Sequence, residues 1–125
     1  GGIAFGAAID YMNSIGFDSI AAYEHELLEY ATEKLNAIEG MRIYGPKTNK
    51  TSVISFNIEG VHAYDLGTIV DKLGIAIRTG QHCAQPIMDF FKVSGTARAS
   101  FCFYNTKKEI DTLAAGLERA AMMLR

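Results

Sequence analysis

The chain has 125 residues, 49 % hydrophobic and 21 % charged, which fits one globular domain with enough apolar surface to bury a core. Twelve Lys and Arg against fourteen Asp and Glu give a net charge of −2, leaving no basic excess for the phosphates of a nucleic acid. No apolar run is long enough to span a bilayer, GGIAFGAAID lacks the basic start of a signal peptide, and two cysteines fit a reducing compartment, so a cytoplasmic protein without nucleic-acid or membrane partners is expected.

Residues 3–15 carry Ile3, Ala7, Ala8, Tyr11, Met12 and Ile15 at helical spacing, with Gly16 as the stop. Small or apolar residues lie on several sides of this helix, which makes it the expected exposed apolar patch. Asp18 or Ser19 is expected to cap a second helix over about 20–38. Its inward stripe is Ile20, Tyr23, Leu27, Leu28, Ala31, Leu35 and Ile38; Glu24, Glu26, Glu29, Glu33 and Lys34 form a solvated face, and Gly40 ends it. Residues 41–44 form a short strand before Gly45-Pro46 and a polar turn over 47–50. SVISFNI at 52–58 alternates and is β-branched, which predicts a strand. A helix over 62–73, with His62 at its start as a surface or capping residue, stops at Gly74, and 75–78 forms another short strand. Residues 86–91 give one or two helical turns with Pro86 near the start, and Lys92 reaches to solvent. Residues 96–103 form the last strand, and Asn105 or Thr106 caps a final helix over about 107–124 with Ile110, Leu113, Leu117 and Ala121 inward. Short strands with loops of unequal length predict an α+β fold, a small sheet with helices on one face.

Chemistry concentrates in RTGQHCAQP, residues 78–86. A thiol reacts as its thiolate, which a nearby cation or a helix N-terminus favours. Cys83 has Arg78 upstream, His82 adjacent and the turn at Pro86 downstream, with Gly80 to loosen the loop. It is either such a reactive thiol or a packed small residue. Cys102, between Phe101 and Phe103, reads as a structural thiol inside an apolar strand. Neither a disulfide nor a metal site is expected: CxxC is missing, and His25, His62 and His82 show no ligand spacing with the cysteines. Arg98 lies in an otherwise small and apolar strand, where a cation needs a partner. That partner is one of the chain's acids or a ligand carboxylate gripped in bidentate fashion.

The run IRTGQHCAQPIMDFF, followed by Arg98 fifteen positions after Cys83 in ARASFCFYNT, resembles the C-terminal part of the group II cysteine desulfurases, the SufS and selenocysteine-lyase-like members of the class V aminotransferase family. AAIDYMNSIG resembles the helix that opens this region, and TSVISFNIEGVHAYDLGTIVDKLGIAIRTG the sheet and helix before the cysteine, so the resemblance spans the chain.

It implies the small, mainly antiparallel domain of a fold-type I pyridoxal-phosphate enzyme. Residues 1–125 would form a single C-terminal small domain without the N-terminal cofactor-binding domain. The activity implied is conversion of L-cysteine to L-alanine with a persulfide on Cys83, for iron–sulfur cluster assembly. Pyridoxal phosphate would be the electron sink. Arg98 would bind the substrate carboxylate and Arg78 would steady substrate or intermediate. The partners implied are an acceptor of the SufE or SufU type and a second subunit of a full-length homodimer. Gln81 departs from the histidine of many relatives, and neither it nor His82 receives a catalytic role.

The family's cofactor lysine, its pyridine-pairing aspartate and its ring-stacking histidine belong to the absent domain, and its phosphate-contacting threonine should lie just before Gly1. None of the chain's lysines matches; IYGPK at 43–47 sits in a strand-and-turn context. The fragment alone is therefore expected to bind no cofactor and to be inactive. The alternatives are a selenocysteine lyase, another class V aminotransferase, or a non-catalytic module that carries sulfur or docks a partner.

Overall fold

The computed structural model describes all of residues 1–125. Nine elements follow in chain order: α1 (Gly2–Ile15), α2 (Phe17–Asn36), β1 (Met41–Tyr44), β2 (Val53–Ile58), α3 (Ala63–Lys72), β3 (Arg78–Gly80), α4 (Gln85–Phe91), β4 (Thr96–Ser100) and α5 (Lys107–Leu124). The strands form one antiparallel sheet in the order β1-β2-β4-β3. The α+β expectation is met, with α2, α3 and α5 on one face; the short α4 departs from it, its Phe91 packing on Tyr44 on the other face.

Alternation along the strands decides which face is covered. Ile54, Phe56 and Ile58 of β2 are buried with Ala97 and Ala99 of β4 and with Phe101. Leu27, Leu28, Ala31 and Leu35 of α2, Leu66 and Val70 of α3, and Leu113, Leu117 and Ala121 of α5 close over them. The alanines of β4 leave little side chain between sheet and helices, so the helices can lie close. Gly67 of α3 works the same way: a Cβ there would sit 2.6 Å from Thr79 Cγ2. Thr79 therefore faces the helices, and its neighbours Arg78 and Gly80 face away from them.

Several boundaries differ from expectation, each for a local reason. Neither Asp18 nor Ser19 caps α2, because Gly16 at φ 97° ends α1 and starts α2 at Phe17. Asp18 instead places its charge in the first turn. The helix stops at Asn36, before Ile38, and Gly40 turns the chain at φ 75° toward β1. Glu24 is half-buried rather than solvated: its carboxylate accepts from the Phe103 backbone N–H at 3.1 Å and the Ser52 hydroxyl at 3.2 Å. The strand expected at 75–78 pairs only from Arg78, because the Ile75 N–H returns to Val70 O to close the end of α3. A cleft of about 320 Å³ separates Gly74–Ala76 from Ala99–Phe101.

The last strand also stops early. Phe101 N–H still reaches Ser52 O at 2.8 Å, but Cys102 N–H donates to Asn105 Oδ1 and the chain turns. Cys102 is thus a half-buried turn residue rather than a strand residue, and both cysteines are free thiols. His62 caps α3, its Nδ1 accepting from Tyr64 N–H at 3.3 Å. Helix α1 buries no residue, and Ile3 and Phe5 are 96 % and 68 % exposed. No helix is long and apolar enough to cross a membrane.

Helix α5, which packs on both α2 and α3, starts at a capping box. Thr106 Oγ1 accepts from Glu109 N–H at 3.3 Å while the Glu109 carboxylate accepts from Thr106 N–H at 2.7 Å. That backbone bond, helped by the Asn105 amide, holds the Glu109 carboxyl below its ordinary value. Its contribution is therefore present above the ordinary carboxylate pKa and lost as the pH falls through the depressed one. Thermal unfolding should show Thr106→Ala less stable by about 1 kcal/mol at neutral pH. The gap between wild type and Glu109→Gln should narrow as the pH drops below about 4.

Candidate functional site

The face of the sheet away from the helices is polar because the strand sequences alternate. In β4, Ala97 and Ala99 point to the core, so Arg98 points to the opposite side. Arg98 lies opposite Ser55 of β2 and Arg78 of β3. Opposed residues of antiparallel strands share a face, so the two arginines leave the sheet on the same side. Like charges in such a pair repel, and no carboxylate relieves them. The molecule's ion pairs are His25–Glu29, Lys34–Asp111, Lys107–Glu26 and Arg125–Glu39. The internal acid that Arg98 could have had is missing. Arg98 is half-buried, and its Nε is buried without a hydrogen-bond partner.

The cysteine loop leaves β3 directly after this pair. Gly80 sits at φ 118°, and Gly95 lies against it so closely that a Cβ on residue 95 would come 3.0 Å from the Gly80 carbonyl carbon and oxygen. Gly80 thus serves a backbone shape and a close approach more than looseness. Residues 81–84 then form a turn closed by Ala84 N–H on Gln81 O at 3.0 Å, with His82 and Cys83 both at φ 57°. Cys83 is exposed. Two residues later α4 begins, with Pro86 in its first turn. Its last residue, Phe91, packs edge-on against Tyr44 of β1 at 5.1 Å. Lys92 is exposed and ends α4 in the left-handed conformation.

His82, which received no role from the sequence, is half-buried and bound to β4. Its Nε2 lies 3.1 Å from Thr96 O and 3.0 Å from Thr96 Oγ1. A carbonyl only accepts, so Nε2 carries the hydrogen. Burial first, then Arg98 and Arg78, push the imidazole below its ordinary pKa against the opposing pull of Thr96. That shift favours the neutral ring, and its Nδ1 is buried without a partner. The hydrogen bonds of His82 thus run to Thr96 rather than to the neighbouring thiol.

Asn57 braces the same face. Its amide donates to Tyr44 Oη at 3.2 Å and Gly95 O at 3.0 Å, leaving Oδ1 buried and unpaired. The three buried orphan atoms of the molecule therefore belong to Asn57, His82 and Arg98. All three residues come from β2, β4 and the Cys83 turn. Buried polar atoms normally find partners, so their concentration marks a place shaped for something else to bind. The alternation of TARAS held a signal for this polar face. Nothing in the sequence alone signalled the His82–Thr96 and Asn57–Gly95 bonds, which join residues far apart in the chain. No cluster of His, Cys, Asp or Glu is suited to a metal.

These features define a class: a small α+β domain with an acid-free arginine pair on the outer face of its sheet and an exposed cysteine in the loop that follows. The chain belongs to the aminotransferase class-V family, whose model matches residues 1–113. It is 52 % identical over 119 residues to a probable cysteine desulfurase of Halalkalibacterium halodurans, covering 95 % of this chain and 29 % of that protein. It is 48 % identical over 124 residues to a cysteine desulfurase of Serratia proteamaculans, covering 99 % of this chain and 30 % of that protein.

Its fold matches the cysteine desulfurase CsdA of Escherichia coli with a TM-score of 0.88 at 34 % identity, over 95 % of this chain and 29 % of that one. A cysteine desulfurase from Thermococcus onnurineus gives 0.88 at 37 %, over 94 % and 30 %. The chain thus spans about three tenths of the length of the relatives it matches. The family implies pyridoxal phosphate in the whole enzyme.

The Gly80–Gly95 approach sets where the cysteine loop leaves the sheet. Gly95→Ala should destabilise the protein by about 1–3 kcal/mol, as overpacking does. It should also change the rate at which iodoacetamide labels Cys83 while leaving that of Cys102 unaltered, as read by peptide mass spectrometry.

Proposed function

We propose that this chain is the C-terminal small domain of a group II cysteine desulfurase and that Cys83 is its sulfur acceptor. The observation that carries the reading is the pairing of Arg98 and Arg78 without any acid. A guanidinium fork with a buried, unused Nε–H fits a carboxylate, and a second cation beside it adds to the attraction. The substrate class that follows is an amino acid bound by its α-carboxylate. An exposed thiol a few residues beyond the same strand pair supplies the nucleophile.

The residues present fit the substrate side of a pyridoxal-phosphate site. Their free polar atoms suit an anion held at Arg98, whereas no lysine joins the Arg98–Arg78–His82 cluster; Lys34 and Lys107 pair with acids of the helical layer. When bound, the cofactor supplies an electron sink for the substrate carbon. This chain's share is orientation and nucleophilic attack. Arg98 holds the carboxylate, with Arg78 alongside. The Cys83 thiolate attacks the substrate sulfur, forming an S–S bond as the carbon–sulfur bond breaks. The bonding pair stays with the substrate carbon, which takes up a proton, so L-cysteine and the thiol become L-alanine and a Cys83 persulfide.

The exposed turn leaves that sulfur within reach of an acceptor protein of the SufE or SufU type, for iron–sulfur cluster assembly in the cytoplasm. The apolar residues left open on α1 suit the surface that the cofactor domain and a second subunit of a homodimer would cover. By itself the fragment binds no cofactor and turns over nothing.

Steady-state kinetics of the full-length enzyme test this. Cys83→Ser should abolish alanine formation from cysteine, and Arg98→Ala should raise KM on the order of 100-fold, the loss expected when a charge-assisted bidentate contact is removed. Wild-type KM in Arg98→Ala would contradict the carboxylate assignment. Selenocysteine turnover that survives Cys83→Ser would point to the lyase-like branch of the family.

A further inference from the structure

We propose that His82 is a positioning residue: its imidazole pegs the Cys83 turn to Thr96 and thereby fixes the thiol relative to Arg98. The inference rests on the reading of Cys83 as sulfur acceptor. The turn at 81–84 needs such a peg. Its two central residues both have φ 57°, the sign that two-residue turns of type I′ require and that Asn and Gly ordinarily supply. Any side chain disfavours this region relative to glycine; Cys83 is the less usual occupant, since histidine is among the residues found there more often. One backbone bond, Ala84 N–H to Gln81 O, closes the turn. The neighbouring helix α4 starts without a side-chain cap. Neither feature alone holds two strained residues in place.

The additional restraint comes from His82. Nε2 reaches both Thr96 O and Thr96 Oγ1, at 3.1 and 3.0 Å. Thr96 is a firm anchor: it is 1 % exposed and stands opposite Gly80 in the β3–β4 pairing. Arg98 is two residues further along the same strand, on the same face. The link from thiol to carboxylate clamp is therefore short: Cys83, the His82 ring, Thr96, Arg98. A flexible turn would leave the sulfur free to wander while the substrate stayed clamped. The ring is also unsuited to moving protons, since its hydrogen is committed to Thr96 and its Nδ1 is buried without a partner.

The test uses the full-length holoenzyme with His82→Ala, His82→Gln, Thr96→Val and Cys83→Ser. Glutamine places an amide N–H near the position of Nε2 and does not titrate. His82→Ala should lower the single-turnover rate of Cys83 persulfide formation on the order of 100-fold, the penalty for about 1 Å of misplacement. KM for cysteine should stay within about twofold, since Arg98 is untouched. His82→Gln should recover most of the rate with an unshifted pH profile. Thr96→Val, which keeps the carbonyl and removes the hydroxyl, should fall between. An unchanged cofactor absorbance band in each variant shows that the protein has folded.

Wild-type rates in folded His82→Ala and Thr96→Val would overturn the inference. So would a His82→Gln enzyme as slow as His82→Ala that had also lost one limb of its pH profile, since that result marks a proton-transfer group. Cys83→Ser keeps the two ideas apart. If it turns cysteine over at the wild-type rate, the sulfur-acceptor reading itself falls; if it is inactive while His82→Ala is normal, only the role of His82 falls.

Discussion

Two positive charges on adjacent strands, with no negative charge of the same molecule to balance them, are the constraint around which this domain is built. Arg78 and Arg98 oppose each other across β3 and β4. A folding domain gains nothing from that arrangement, since opposed like charges weaken a strand pair. A surface arginine can hide its charge in water, as Arg78 does. Arg98 cannot do so fully, because one of its N–H groups is enclosed and unused. Under the proposed function, an anionic substrate would supply the missing negative charge. Stability given up at a functional site is a familiar pattern.

The remainder of the fold keeps most of its helices off that face and makes it firm. Helices α2, α3 and α5 gather on one side of the sheet, over a layer made thin by Ala97 and Ala99. On the other side Phe91 packs on Tyr44, and single side chains add hydrogen bonds: Asn57 to Tyr44 and Gly95, and His82 to Thr96. Each spans two segments distant in sequence. The polar face is therefore held by a few directed contacts together with the packing of Phe91 on Tyr44. Cys83 lies at the outer end of this arrangement. It is open to solvent and follows a glycine pair that sets where the chain emerges.

Elements governed by local rules were legible in the sequence. The cap at Asn105 or Thr106, which the structure resolves to a Thr106 capping box, the inward stripe of α5, the β-branched alternation of β2 and the placing of His62 at the start of α3 all follow from residues within a few positions of one another. Boundaries set by distant partners were not. The stretch at 75–77 is strand-like in composition, yet the end of α3 claims the Ile75 amide first. Cys102 looks like a strand residue until Asn105 takes its N–H and turns the chain. Glu24 sits on the polar side of its helix, and two donors from other segments pull it inward. The same limit applies to the site: Cys83, Arg78 and Arg98 are visible as a motif, while the His82 hydrogen bond depends on Thr96 fourteen residues later.

The most direct trial of the account follows the transferred atom. The full-length enzyme would be mixed with one equivalent of sulfur-labelled cysteine, quenched, digested and analysed by mass spectrometry. One labelled sulfur should appear on the peptide that carries Cys83, be removable by a thiol reductant, and be missing from the peptide that carries Cys102. Label distributed over both peptides, or alanine released with an unmodified Cys83, would contradict it.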